Sequence, residues 1–485
     1  MSWANVFPWS APAPGTGVRR GVCDQVRGAI VGGALGSGAR LPSSRDLAAR
    51  LGVARATVVA AYEQLTAEGY IESRRGAGAF VAADLAPMMA LRTPEPPPVA
   101  APPSLPERAL DFVQGAQITG LPGDALFNTG RTLMDAAGRV AWSKAVRRAT
   151  RQLGPEHFGY ADAAGDPALR AAIADYLRAA RGVVASPEQV IVTAGAQQAI
   201  DLAARVLIRP GAPVWVEDPG YTATALALAA LGADLIPVPV DDTGLIVGEG
   251  ERASPRAAAA VVTASHQFPL GVTLSMARRV ELLAWARAAG AWIIEDDYAS
   301  EFRYAGAPIP ALQGLDGGQR VLYVGTFNKA IFPGLRLGYL VAPAALVPAL
   351  TRARQLQDRQ PPSLTQAIVL EFMRAGDFAA HIRRRRLAYA AQRDALVEAL
   401  REHCGAWLAP HAPDQGMHLV AYLREDLSDA AAEAAAARAG VIARAIGPLH
   451  RAAAPRSGLM LGFSGYPPQA MASGARRLAR ALEAM

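Results

Sequence analysis

Lysine is almost missing from this chain. Its 485 residues carry 49 lysines and arginines together, yet only Lys144 and Lys329 are lysines. Arginine can hold an anion, but its guanidinium stays protonated and cannot form an imine, whereas a lysine amine can. Cysteine is equally scarce: Cys23 and Cys404 are too few and too far apart for a disulfide framework or a zinc site. No apolar run is long enough to span a bilayer, because the alanine-rich stretches are broken by Arg, Asp, Glu or Pro. The first residues lack the charged region and apolar run of a signal peptide. A cytoplasmic protein with no membrane insertion and no metal site is therefore expected. A hydrophobic content of 51% and a charged content of 19% fit a globular protein, and the length calls for two or three domains.

Positive charge collects at the front. The net charge is +7, and residues 1–83 hold nine arginines against five acids, which points to an anionic partner there. Residues 1–16, with Pro8, Pro12, Pro14 and Gly15, read as a loose arm. Val26, Ile30 and Val31 lie at helical spacing between Asp24 and Leu35. Ser43 or Ser44 then caps a second helix that ends at Gly52, and a third runs from Ala54 to Glu68. Helix, short turn, helix is the arrangement that lays a second helix in the major groove, here with Arg55, Ala56, Thr57 and Tyr62 on it. Gly69 to Val81 alternates like a hairpin with a basic tip at Arg74, Arg75 and Gly76. Together these read as a winged helix-turn-helix over 17–83, with a small helical accessory domain as the alternative.

The stretches from Leu41 to Val53 and from Glu68 to Val81 closely resemble the DNA-binding domain of GntR-family regulators, over about sixty residues. The resemblance implies a double-stranded DNA operator as partner, met by Ser43, Ser44, Arg45, Arg55, Thr57, Tyr62, Arg74, Arg75 and Gly76. At Ala54 the family usually has a serine.

From Asp84 to Leu110 eight prolines favour a stiff spacer. Beyond it, from 111 to 485, strands and helices alternate as in an α/β domain, with a smaller C-terminal part from about 360. Gln189 to Thr193 reads as a strand that feeds Gly195, Ala196 and Gln197 at a helix start, a possible phosphate cradle that many such turns also resemble. Pro213 to Glu217 leads to Tyr221, which either stacks on a flat heterocycle or merely fills a turn. Ala291 to Ile294 runs into Glu295, Asp296, Asp297 and Tyr298. These acids are costly unless a cation meets them, and a carboxylate here could keep a pyridine nitrogen protonated while Tyr298 bonds a ring oxygen; a metal site is the competing reading, but no histidine pair at ligand spacing accompanies it. Val321 to Val324 precedes Lys329, with Arg336 seven residues on. Alone, Lys329 reads as a strand-end lysine that reaches solvent. The run Arg383 to Arg386 is read as a solvated helix face.

In that order the motifs resemble fold type I pyridoxal-phosphate enzymes of the aminotransferase class, from about Asp111 to the C-terminus. With the winged helix in front, the whole chain resembles a MocR-type regulator of the GntR family. The resemblance implies pyridoxal 5'-phosphate as cofactor, with Lys329 as its Schiff-base lysine, Asp296 at the ring nitrogen and Tyr298 at the ring oxygen. Tyr221 would lie on the ring face, and Gly195, Ala196, Gln197, Thr326 and Arg336 would hold the phosphate. It also implies a homodimer and an amine or amino-acid effector. The loop Thr263 to Gly271 is close to one that contacts the cofactor in aminotransferases. Asn328 replaces a usual serine, and Gly120 to Ala145 departs from the common pattern beside the substrate site. Aminotransferases hold their substrate's carboxylate with an arginine in the last strand of the small domain; that position is Met460 here. Ala223 lacks the arginine of some amine-sensing relatives, while Arg456 lies close in sequence. A regulator that senses without turnover is expected, with an active aminotransferase or a domain kept only for dimerisation as alternatives.

Overall fold

The computed structural model describes residues 9–10, 17–74, 76–83, 125–306, 309–452 and 456–485. The chain divides into two compact units, Met1–Val113 and Gln114–Met485. Most of the expected arm, Arg75 and the 84–110 spacer lie outside the described residues.

The first unit is built from α1 (Val18–Val31), α2 (Ser44–Leu51) and α3 (Arg55–Ala67), followed by the antiparallel hairpin β1 (Ile71–Arg74) and β2 (Gly78–Val81). α1 starts earlier than its apolar spacing suggested and stops sooner: Val22, Cys23, Val26, Ala29 and Ile30 form one buried stripe, and Gly32 and Gly33 end it. Ser43 is the cap of α2, its side chain accepting the Asp46 N–H, and Gly52, with φ 65°, ends that helix in a left-handed turn. Leu47, Leu51, Val58, Ala61 and Leu65 close a core that Ile71 and Val81 of the wing complete. Each such buried aliphatic side chain stabilises the unit by roughly 1.5–3 kcal/mol.

The second unit holds a mixed sheet in the order β3-β10-β9-β8-β7-β4-β5-β6. The strands are β3 (Val190–Thr193), β4 (Pro213–Asp218), β5 (Asp234–Asp241), β6 (Gly244–Leu245), β7 (Ala259–Val262), β8 (Trp292–Asp297), β9 (Val321–Thr326) and β10 (Gly338–Val341). β5, β4, β7, β8 and β9 are parallel, and β10 runs against both β9 and β3. β3, β7 and β9 are buried along their whole length, so their continuous apolar runs suit a sheet covered on both faces. This topology brings the ends of β3, β4, β7, β8 and β9 to one edge, where open α/β sheets bind ligands.

The smaller C-terminal part carries an antiparallel sheet, β11 (Leu408–His411), β12 (His418–Leu423), β13 (Arg444–Ala445) and β14 (Gly458–Gly462), in the order β11-β12-β14-β13. The helices Asp377–Cys404 and Pro468–Glu483 pack together beside it. The arginine run is split: Arg383 and Arg386 are exposed, as a solvated face would be, while Arg384 and Arg385 serve as anchors. Arg384 Nε and Arg385 Nη2 reach Asp135 Oδ2 at 3.1 and 2.6 Å, and Arg386 Nε reaches the Glu301 carbonyl at 3.1 Å. Asp135 uses its other oxygen to cap the helix Ala136–Arg151, so one carboxylate ties that helix start to the arginines. Among the described residues no helix is long and apolar enough to cross a membrane.

Candidate functional site

The strand β8 sorts its three acids by the alternation of the pleat. Glu295 and Asp297 point to one face. Glu295 accepts the Leu312 and Gln313 N–H groups at 2.9 and 3.1 Å, capping a short helix. Asp297 Oδ2 accepts Arg181 Nε at 2.8 Å, the Tyr323 hydroxyl at 2.6 Å and the Ser300 hydroxyl at 2.8 Å. Asp296 points the other way and is buried, and among the described residues its Oδ1 has no hydrogen-bond partner. Burial, reinforced by the charge of Asp297, lifts its pKa to about 7, while Lys329 pulls in the opposite direction. Beside it the Tyr298 hydroxyl is also shut from solvent without a partner.

Lys329 sits in the short helix Phe327–Ala330, directly after β9. Thr326 starts that helix, its Oγ1 accepting the Asn328 N–H at 3.1 Å, and His381 Nε2 lies 3.1 Å from the Ala330 carbonyl at the other end. Loss of water around the Lys329 amine lowers its pKa, against the attraction of Asp296. Asn328 Oδ1 accepts the Leu337 N–H at 3.0 Å, and the Asn328 amide nitrogen lies 2.6 Å from where a Gly195 Cβ would stand. Gly195, with φ 123°, therefore has neither the room nor the backbone for a side chain. It opens the helix Ala196–Leu207, and Arg336 Nη1 is 3.9 Å from the same Cβ position. A helix N-terminus faced by a guanidinium is a place for an anion. The Gln197 side chain is engaged elsewhere, donating to the Ala223 carbonyl at 3.1 Å.

Tyr221 follows β4 and meets Phe268 edge-on, with ring centroids 5.0 Å apart. One pocket is lined by Glu217, Tyr221, Thr224, Thr263, Asp296 and Arg451. Sequence reasoning missed Arg451: Asp218 accepts the Arg451 and Ala452 N–H groups at 2.7 and 2.9 Å, a clasp between residues 233 and 234 positions apart that no local pattern announces. It also missed His266, in the Thr263 to Gly271 loop, and His418, at the start of β12, whose rings lie 4.9 Å apart. The segment flagged for departing from the common pattern does reach the site: a Cβ on Gly130 would lie 3.7 Å from Lys329 Nζ. Residues 120–124 of it lie outside the described residues. Met460 is buried with Val420 and Ile446, and Arg456 lies over the Tyr422 ring at 3.5 Å.

In the first unit the expected DNA contacts separate. Arg45 and Arg55 are exposed, with Arg55 Nε 3.3 Å from the Ser44 hydroxyl, and Thr57 is half-buried on the first turn of α3. Ser43 is spent as the cap of α2. Arg74 bonds Glu72 and lies over the Phe80 ring, and Gly76 turns the wing with φ 79°. Tyr62 is a correction: its hydroxyl donates to the Pro42 carbonyl at 2.9 Å, and burial raises its pKa, so it braces the turn before α2 instead of facing a partner.

Comparison with known proteins gives both units a family. Residues 19–81 match the description "Bacterial regulatory proteins, gntR family", and residues 127–463 match "Aminotransferase class I and II". The probable rhizopine catabolism regulatory protein MocR of Rhizobium meliloti is 38% identical over 471 residues, 96% of this chain and 94% of that protein. The chain belongs to the MocR-like group of GntR-family regulators. Another member, the pyridoxine biosynthesis transcriptional regulator PdxR of Corynebacterium glutamicum, is 35% identical over 84% of both chains. Among solved structures, α-aminoadipate aminotransferase from Thermus thermophilus, complexed with N-(5'-phosphopyridoxyl)-L-leucine, is similar with a TM-score of 0.69 and 26% identity. The match covers 78% of this chain and 95% of that one. The MocR-like chain thus joins a GntR DNA-binding domain to an aminotransferase fold whose relatives use pyridoxal phosphate.

Proposed function

We propose that the chain is a cytoplasmic, DNA-binding transcription regulator whose aminotransferase-like domain holds pyridoxal 5'-phosphate and senses it, alone or joined to an amine or amino acid. Asp296 carries the reading. Glu295 has backbone donors and Asp297 holds Arg181 through Oδ2, although its Oδ1 is also orphaned; among the described residues no hydrogen-bond donor is seen on Asp296, whose Oδ1 is buried. A buried carboxylate without a partner is unfavourable, and a protonated pyridine nitrogen is a cation that would relieve it.

When bound, the cofactor supplies an aldehyde that condenses with primary amines and a ring that withdraws electrons. Lys329 offers the amine, made easier to deprotonate by desolvation. Asp296 keeps the proton on the ring nitrogen, and the Tyr298 hydroxyl donates to the ring oxygen. Tyr221 covers the ring face. The turn at Gly195, Ala196 and Gln197, with Thr326 and Arg336, holds the phosphate. Glu217, buried with its pKa raised to about 7 by burial, accepts the Thr263 hydroxyl at 2.5 Å and stiffens the pocket wall.

Sensing rather than turnover follows from Met460 and Ala223. Both are buried and apolar, and Arg456 lies over the Tyr422 ring, so none of these three clamps a carboxylate while an α-proton moves; Arg451, which lines the pocket, is the arginine that a carboxylate there could meet, which is why turnover itself is the test. Incubating the purified protein with pyridoxal phosphate and common amino acids should shift its spectrum or leave it unchanged, with negligible keto acid formed. Ordinary enzyme turnover would replace this reading by that of an aminotransferase with a DNA-binding arm.

The working form is a homodimer. Phe158 is 79% exposed, Tyr160 81% and Leu356 75%, and Arg359, three residues beyond Leu356, lies over the Tyr160 ring at 4.4 Å. Such an apolar surface suits a second copy of this chain, which also supplies the second winged helix for a two-part operator. Sedimentation at concentrations that give specific DNA binding should find a dimer; a monomer there would contradict it.

A further inference from the structure

The outer face of α3 is unusually poor in polar groups for a surface that meets DNA. Val58, Ala61 and Leu65 turn inward, while Arg55, Ala56, Val59 and Glu63 stand exposed on the other side, Val59 at 36%. Ala56 and Val59 are one helical turn apart and therefore neighbours on that face. Neither has a donor or an acceptor. Placed against the edge of guanine, adenine or cytosine, they would strip water from polar atoms and give nothing in return. Thymine alone offers an apolar group in the major groove, its C5-methyl. Arg55, beside them, has the fork that pairs with guanine O6 and N7. Glu63 lies two turns further along the same face, and its negative charge disfavours approach of that end to phosphates. The first half of α3 is thus the part that enters the groove, as a recognition helix does.

We infer that Ala56 and Val59 read thymine methyl groups next to a guanine held by Arg55. The inference rests on the DNA-binding reading and assigns its base preference. The full-length protein, with pyridoxal phosphate present, should select from a random duplex pool half-sites that carry thymine within a base pair or two of a guanine. Replacing those thymines one at a time by deoxyuridine, which removes only the methyl, should weaken binding about three- to tenfold at the contacted positions. In Val59→Ala the penalty at one thymine should fall below about twofold while the others persist, because the contact is absent from both sides. Val59 is surface-exposed, so an unchanged unfolding temperature will certify the variant's fold. Deoxyuridine without effect at every position, or penalties all unchanged in Val59→Ala, would overturn the inference while leaving DNA binding intact. Selection of no sequence at all would instead remove the DNA-binding reading on which it stands.

Discussion

The two units keep their working groups in opposite states. In the aminotransferase-like unit, Asp296 Oδ1 and the Tyr298 hydroxyl are closed off from water without partners. Each such group costs about 1–3 kcal/mol until something fills the site. In the winged-helix unit, Arg45 and Arg55 stand in solvent, and Arg74 rests on Glu72 in an exposed ion pair 2.5 Å long. Pairs of that kind contribute about 0–1 kcal/mol and yield easily to a phosphate. A buried, unsatisfied site is defined by what it lacks, so its ligand should stabilise the fold strongly. An exposed site stores nothing, so its partner should be gained or lost with salt.

The largest effect expected from this contrast is at Lys329. Wild-type protein reduced with borohydride in the presence of pyridoxal phosphate should carry a covalent adduct, detectable by mass; Lys329→Ala should carry none, and an undiminished adduct would move the site elsewhere. Next comes Arg55→Ala, for which loss of a guanine contact should weaken specific DNA about 10- to 100-fold with little change on random DNA. Asp296→Asn should cost about tenfold or more in cofactor affinity by equilibrium titration, since it removes the charge opposite the ring nitrogen. Arg74→Ala should do less: log affinity against log salt should flatten by about one unit, equally for specific and random DNA.

A further contrast concerns pH. Burial raises the carboxyls of Glu217, Asp296 and Glu301 to about 7. Between about pH 4, where free carboxyls lose their protons, and pH 7, the folded cofactor-free chain keeps protons that the unfolded chain has released. Its stability should therefore fall as pH rises through that window. Thermal unfolding should show a gentler slope for Asp296→Asn, and also for wild type with cofactor bound; identical slopes in all three would mean that Asp296 titrates normally.

Much of this was legible in the residues, and the exceptions share a cause. Lys329 stood out because lysine is so rare, and the helix-turn-helix because its caps and glycine stops are local signals. The family resemblance singles out Asp296 among the three acids, but the residues alone do not show that Asp297 is taken by Arg181, 116 positions away. Arg384 and Arg385 read as solvated like their neighbours because their partner, Asp135, lies about 250 residues earlier. Tyr62 looked available because nothing near it in sequence predicts the Pro42 carbonyl as its partner. Arg451 gave no signal at all, being set in place by Asp218 from across the fold. Local chemistry was readable; pairings between distant residues were not.

If the chain senses its cofactor, the buried site must govern the exposed one. The most direct measurement is the affinity of the full-length protein for its selected operator, titrated with pyridoxal phosphate, for wild type and Lys329→Ala side by side. The account expects wild-type affinity to change as the cofactor saturates the site, by a factor of about 5 or more, typical of coupled sites, and Lys329→Ala to show a much weaker response. Operator binding that is indifferent to the cofactor in wild type, or equally responsive in both proteins, would contradict it.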